Sequence, residues 1–435
     1  LVATRKLTFY RASILNPQDD NTCEYWMDGV LVTIQSGSQH KVLEILPYRT
    51  ACEKYVEDFA HANLVEFPGG VIVPGFFDMH FHWVQDDVRL MPKDSLLQWL
   101  DKYTFPTEAK YANKTYAKQK AKKFFARLSA AGTLGGACYS SVHDHALDYA
   151  FEYAKGDVLI GNVLMTMQSP ASLLQESKVA IKSAMRGMKK YRHRYVLTPR
   201  FAIATDPITM QVTAKEANKR KIFKQTHLSE TPSEIEFVME LYKQYPAFKK
   251  VKSYTEIYHK VGMLGSRSLM GHAIHLKNSE LGLLKRTRTA LVHCPTSNAP
   301  LRDKGLGSGL FDFKKIERYG IRWALGSDIG GGPFLSMLDV MRSFVQQNKR
   351  KGRRGASYIK ALYRSTLAGA EILDVADRTG NLDHGKEVNF VVLKAPTKKF
   401  EKAEVLLEKL IDQTKNRAHY DKQVVATYLQ GQRLK

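Results

Sequence analysis

Eight short β-rich runs alternating with amphipathic helical stretches predict a TIM-like (β/α)8 barrel. Short alternating runs near both ends predict a second, smaller piece, a β-sandwich domain assembled from the two termini. An open doubly wound α/β sheet would share the alternation, but no G-x-G-x-x-G follows the first barrel run. The chain therefore divides into residues 1–70, the N-terminal part of the small domain; 71–385, the barrel; and 386–435, the C-terminal part of the small domain.

Taken in order, residues 1–5 carry no apolar leader segment. Runs 6–9, 30–35 and 43–46 alternate apolar and polar residues and are broken by Pro, Asp and Gly, the pattern of short strands. Barrel strands are expected at 70–77, 132–140, 157–165, 195–202, 221–227, 268–272, 290–293 and 321–326. Between them, 112–131, 173–191, 232–245 and 334–347 repeat apolar residues at helical spacing. One helix start is explicit: Thr231-Pro232-Ser233-Glu234 offers an N-cap Thr, Pro at the first helical position and Glu at the third. Ile235, Val238, Leu241 and Tyr242 then share one face. Residues 228–230 thus turn at the C-terminal end of a strand, the rim on which barrels carry their active sites. Runs 388–393 and 424–429 return to strand patterning.

Composition narrows the function classes. At 44% hydrophobic and 25% charged, with 29 Gly and 15 Pro in 435 residues, the chain is neither disordered nor collagenous. Its longest apolar stretches are strand-sized, so no segment reads as a membrane helix. Cys23, Cys52, Cys138 and Cys294 lie far apart without a C-x-x-C pair. That spacing argues against a disulfide framework and a cysteine zinc ribbon, and for a reducing cytoplasm. The net charge of +23 favours polyanions. Its basic runs, 118–127, 189–194, 215–224 and 349–354, have few interleaved aromatics and no RNA- or DNA-binding motif beside them. They read as solvated helix faces and helix ends, and no nucleic-acid partner is expected.

Several polar residues converge by position. In His80-Phe81-His82 the two imidazoles project to one face of a strand and can grip one metal ion. Spacing alone is weak, because His143-Asp144-His145 repeats it. His227, His272 and Asp328, however, also fall at expected strand ends, so all five point into one pocket. Three histidines and a carboxylate suit zinc with a position left for water. Cys294 reads as a small packed residue rather than a nucleophile. Gly330-Gly331-Gly332 reads as a tight turn permitting close backbone approach. His143 is expected to support the metal ligands and His145 to be structural.

Val73-Pro74-Gly75-Phe76-Phe77-Asp78-Met79-His80-Phe81-His82 resembles the opening signature of the amidohydrolase superfamily. The resemblance continues through His227-Leu228-Ser229-Glu230, Gly271-His272, His293-Cys294-Pro295-Thr296-Ser297-Asn298 and Gly326-Ser327-Asp328. Within the superfamily the chain is most similar to the guanine deaminases. The marks are Gln85, Leu96-Leu97-Gln98-Trp99-Leu100-Asp101-Lys102-Tyr103-Thr104-Phe105-Pro106, Thr198-Pro199-Arg200-Phe201 and Ser336-Met337-Leu338-Asp339.

The resemblance implies hydrolysis of guanine to xanthine and ammonia, with one zinc ion per chain, or iron in its place. His80, His82, His227 and Asp328 would hold the ion. Glu230 would carry protons, Asp328 would also act as a base, and His272 would hydrogen-bond the attacking water or the tetrahedral centre. Gln85, Arg200 and Phe201 would contact the purine, and the assembly implied is a homodimer. No lysine sits at 195–201 to bridge a second metal. Trp83-Val84 and residues 330–333 depart from the family pattern, so pocket shape is where another substrate, 8-oxoguanine or an s-triazine, would enter. A basic nucleic-acid-binding protein on a barrel scaffold is the alternative from a different class, and it rests on charge alone.

Overall fold

The computed structural model describes residues 6–61 and 63–435; residues 1–5, read above for a leader segment, lie outside the described residues. The chain packs as two compact units. One takes the described residues up to Phe77, Arg127–Gly135 and everything from Leu335 on; the other takes Asp78–Ala126 and Gly136–Phe334.

The first unit is built on one mixed seven-stranded sheet. Its strand order is Gln432–Arg433, Val424–Leu429, Phe390–Lys394, Asn63–Pro74, Lys6–Pro17, Cys23–Ser36 and Gln39–Pro47. Strands from the two ends of the chain meet where Phe390 pairs with Pro74 and Val392 with Ile72. The expected terminal β domain is therefore present, as one continuous sheet. Strand alternation gives it two apolar faces. Tyr10, Leu31, Ile72, Phe390 and Val392 cluster on one, while Phe9, Val30, Val32 and Ala51 cluster on the other. The run expected at 70–77 is divided between two strands. Residues 70–74 finish the strand Asn63–Pro74, and the barrel strand begins at Phe76. Pro74 has no N–H to extend a ladder, and a side chain at Gly75 would lie 2.7 Å from that of Leu134.

The eight barrel strands stand in chain order: Phe76–His82, Thr133–Ser140, Asp157–Leu164, Val196–Pro199, Phe223–Leu228, Ser268–His272, Ala290–His293 and Trp323–Leu325. Every residue of the first strand is buried. Period-two alternation puts Phe76, Asp78, His80 and His82 on one side and Phe77, Met79 and Phe81 on the other. Helices Lys114–Ala130, Ser177–Tyr191, Pro207–Lys219 and Pro232–Leu241 fill four of the intervals. The last begins with the expected capping box: Glu234 N donates to Thr231 Oγ1, and the Glu234 carboxylate accepts from Thr231 N.

The sheet's first and last strands are joined beyond the ladder. Asp78 Oδ1 accepts from Ser327 N at 2.8 Å and Asp78 Oδ2 from Ser327 Oγ at 2.5 Å. Asp328 N then donates to His80 O at 2.7 Å. On the other side of the first strand, Gly136 runs so close to it that a β-carbon there would lie 1.8 Å from Asp78 O, at φ +138°. Gly136→Ala is therefore expected to cost about 3 kcal/mol or more. Gly37→Ala, left-handed but in open space, should cost only about 1–2 kcal/mol. Urea denaturation of the two variants checks the difference.

Candidate active site

His80 and His82 share a face of the first strand, and the seam to Ser327 and Asp328 sets their height relative to the last. The four expected ligands converge. His82 Nε2 lies 3.3 Å from His80 Nε2 and 3.1 Å from His227 Nε2. Asp328 Oδ1 lies 3.4 Å from both His80 Nε2 and His82 Nε2. Ligands about 2.0–2.1 Å from one tetrahedral ion would stand about 3.3 Å apart. His227 Nδ1 is 2.6 Å from the Arg200 carbonyl, which fixes its proton there and turns the Nε2 lone pair inward. Burial holds the His82 and His227 pKa values well below the ordinary histidine range, so both rings are neutral and able to ligate. Burial opposes ionisation of Asp328, yet the hydrogen bond from His80 and the surrounding imidazoles hold its pKa far below the carboxylate range. These four residues can hold one divalent cation.

Beside them lies a second group. The backbone at His272 (φ 67°) and Asp328 (φ 47°) is left-handed, a strained state that aims both side chains into the barrel mouth. Asn298 Nδ2 donates to Glu230 Oε1 at 3.0 Å and approaches His272 Nδ1 at 3.2 Å. Ser308 Oγ also donates to Glu230 Oε1. Among the described residues His272 Nε2 is buried without a hydrogen-bond partner, 3.5 Å from Glu230 Oε2. Burial, then the nearby Asp328 and Glu234 carboxylates, push the Glu230 pKa well up, which favours its protonated form. Burial lowers the His272 pKa to about 4, which keeps that ring neutral. One pocket is lined by His82, His227, Glu230, His272 and Asp328 together with Gln85, Arg200 and Phe201. The four candidate ion ligands thus meet Glu230, His272, Gln85, Arg200 and Phe201 at one site.

The opposite wall comes from residues 96–112. Leu96, Trp99 and Leu100 line the pocket. The helix then widens into a π turn, Leu100–Thr104, in which Phe105 N bonds Leu100 O. Pro106 follows; it cannot donate and its ring would press on the preceding turn, and the wider turn lets the helical path continue to Ala109. That path delivers Glu108 to Arg200 Nη1 at 2.7 Å and to Gln85 Nε2 at 2.8 Å. Phe105 lies under the guanidinium, 5.0 Å from Cζ to ring centroid.

Glu108, Asn298, Ser308, Glu234 and Asp78 escaped the sequence reading as site residues. Asp78 and Asn298 stood inside quoted motifs, the one signal that could have found them. The glycine run behaves as expected: Gly332 N bonds Asp328 O in a tight turn, and a side chain at Gly330 would lie 2.3 Å from Gln85 Oε1. His143 and His145 stack on each other, and His145 Nε2 lies 2.7 Å from Tyr111 O; neither lines the pocket.

A model of the amidohydrolase family matches residues 71–434. The chain is 32% identical to a guanine deaminase of Escherichia coli over 337 residues, 76% of this chain and 74% of that one. It superposes on the structure of an E. coli guanine deaminase with a TM-score of 0.85, at 26% identity, over 99% of each chain. A guanine deaminase from C. acetobutylicum with guanine in its active site gives a TM-score of 0.84 at 26% identity, over 98% of this chain and 100% of that one.

Cys294 is fully buried, and burial raises its thiol pKa well above the usual value, which removes it as a nucleophile. Thiol titration with Ellman's reagent at pH 8 should leave Cys294 and the equally buried Cys138 unmodified until the protein is denatured.

Proposed function

The chain belongs to the amidohydrolase family, and from that premise we propose that it hydrolyses guanine to xanthine and ammonia. The observation that carries the reading is the pocket itself: a cation-holding cluster and a buried carboxyl face a wall of Gln85, Arg200 and Phe201 across one cleft. The guanine deaminase relatives, one with guanine bound, support the substrate.

His80, His82, His227 and Asp328 would hold one divalent ion, zinc or iron, which would supply Lewis-acid activation of water. Asp328 turns Oδ1 to the histidines and keeps Oδ2 to take the proton of the attacking water. Glu230 has Oε1 engaged by Asn298 and Ser308, so Oε2 holds the proton that passes to the ring nitrogen beside C2 and stays there; the hydroxyl proton at C2 restores Glu230, and the proton taken by Asp328 goes to the amino nitrogen, which leaves as ammonia. His272 accepts from Asn298 at Nδ1 and donates its Nε2 hydrogen to the oxygen forming at C2. Arg200 presents donors to the purine's acceptor edge, O6 and N7, while Phe201 packs near the ring.

The proposed setting is the cytoplasm, where the free cysteines stay reduced, and the proposed assembly is the homodimer that the family resemblance implies. Among the described residues no helix is long and apolar enough to cross a membrane.

Ammonia release from a panel of guanine, 8-oxoguanine, adenine, cytosine and aminotriazines should show guanine preferred, with adenine and cytosine untouched. Preference for another member would overturn guanine as substrate while keeping the hydrolase. Elemental analysis should find one ion per chain, lost when His80 and His82 are both replaced by Ala; two ions per chain would refute the mononuclear site. Glu230→Gln should keep the ion and bind substrate, yet lose turnover by about 10²–10⁴-fold.

A further inference from the structure

Glu108 is a buried carboxylate, 1% exposed, on the far side of the pocket from the groups that do the chemistry. Its two oxygens are divided between two pocket residues. Oε2 takes Arg200 Nη1 at 2.7 Å, and Oε1 takes Gln85 Nε2 at 2.8 Å. Arg200 and Gln85 are themselves each 2% exposed, so their side chains are held by protein contacts. A carboxylate offers only acceptors. Gln85 can therefore meet it only with its amide nitrogen, and the planar amide must then direct Oε1 away from Glu108. In the same stroke Arg200 is anchored through Nη1, with Phe105 beneath its face, so that the rest of its fork can serve the pocket.

We propose that Glu108 is a positioning residue that fixes the Gln85 amide with its carbonyl toward the substrate, so that the wall presents an acceptor beside a donor fork and selects a ring N–H adjacent to a carbonyl. This inference rests on the guanine reading and specifies how that substrate is told from its analogues. In guanine, N1–H and C6=O form such a lactam edge. A 6-aminopurine reverses both positions, with a bare N1 and an amino donor at C6. Oε1 of Gln85 then meets a lone pair, and Arg200 meets a donor. With the surroundings buried, neither mismatch can be relieved by water.

The test compares guanine with 2,6-diaminopurine, which carries the same 2-amino group and differs only at N1 and C6. The wild-type protein should prefer guanine in kcat/KM by about 10³-fold or more, the scale on which buried hydrogen-bonding sites reject a mismatched analogue. In Glu108→Gln the new amide can donate to Gln85 Oε1, which frees the Gln85 amide to turn over. The preference should shrink at least tenfold, with the loss on guanine chiefly in KM. Equal losses on both substrates would reduce Glu108 to a structural residue and overturn the proposal. Should that variant not fold, competition on the wild-type protein decides: hypoxanthine, a lactam, should displace a bound purine at least tenfold better than adenine, and equal displacement would overturn the proposal. A wild-type protein that discriminates hypoxanthine from adenine yet releases no ammonia from guanine would sink the proposed reaction and leave the role of Glu108 standing.

Discussion

A barrel has one seam that chain order cannot supply, and here the seam holds the site together. Asp78 on the first strand takes the N–H and hydroxyl of Ser327, and the next residue up, Asp328, bonds the backbone of His80. Burial pushes the Asp78 pKa up to about 7 despite three donors, so the carboxyl is held where loss of solvation disfavours its charge. The return is register. Asp78, His80 and His82 rise in steps along one face, and the seam fixes where Asp328 stands against them. The partners are 249 residues apart. Closing so long a stretch of chain carries an entropic cost, and the same contact that closes it sets the height of Asp328 beside the histidines.

Around that cluster, chemically similar carboxyls are made unlike by what surrounds them. Asp328 sits among histidines and stays ionised. Glu230, a few ångströms away, is buried against other carboxylates and favours its protonated form. Glu234, pushed up to about 7 by burial, accepts the Glu230 backbone N–H and holds that turn in place. Pairs of acids driven apart in this way are how one site offers a base and an acid at the same pH.

What the sequence disclosed follows from how local its cause is. The strands at 268–272 and 290–293 and the capping box at Thr231 depend on periodicity and turn chemistry within a few residues, and they lie where the pattern put them. The candidate ligands were legible because each lies at or near the C-terminal end of a barrel strand. The division at Gly75 was not, because residues 70–77 are apolar throughout, so the local break signal of Pro74-Gly75 was outweighed, and the close packing of Gly75 against Leu134 lies elsewhere in the chain. Helix Ala403–Asp412 was passed over between two strand patterns. Glu108 was invisible for a different reason: an acidic residue in a helical stretch reads as solvated, and only the fold reveals Arg200 and Gln85 beside it.

The π turn at Leu100–Thr104 makes the substrate wall sensitive to counting. An α-helix advances about 100° per residue, and the wider turn absorbs roughly one residue, so winding the same residues as an ordinary α-helix would swing everything after Thr104 by about that angle. Leu96 and Trp99 would still face the cleft, while Glu108 would turn its carboxylate away from Arg200 and Gln85. The ion-holding histidines, on other segments, would be unmoved. Recognition and reaction are thus carried by separable pieces of chain, and a lineage could revise the first by insertion or deletion without reopening the second.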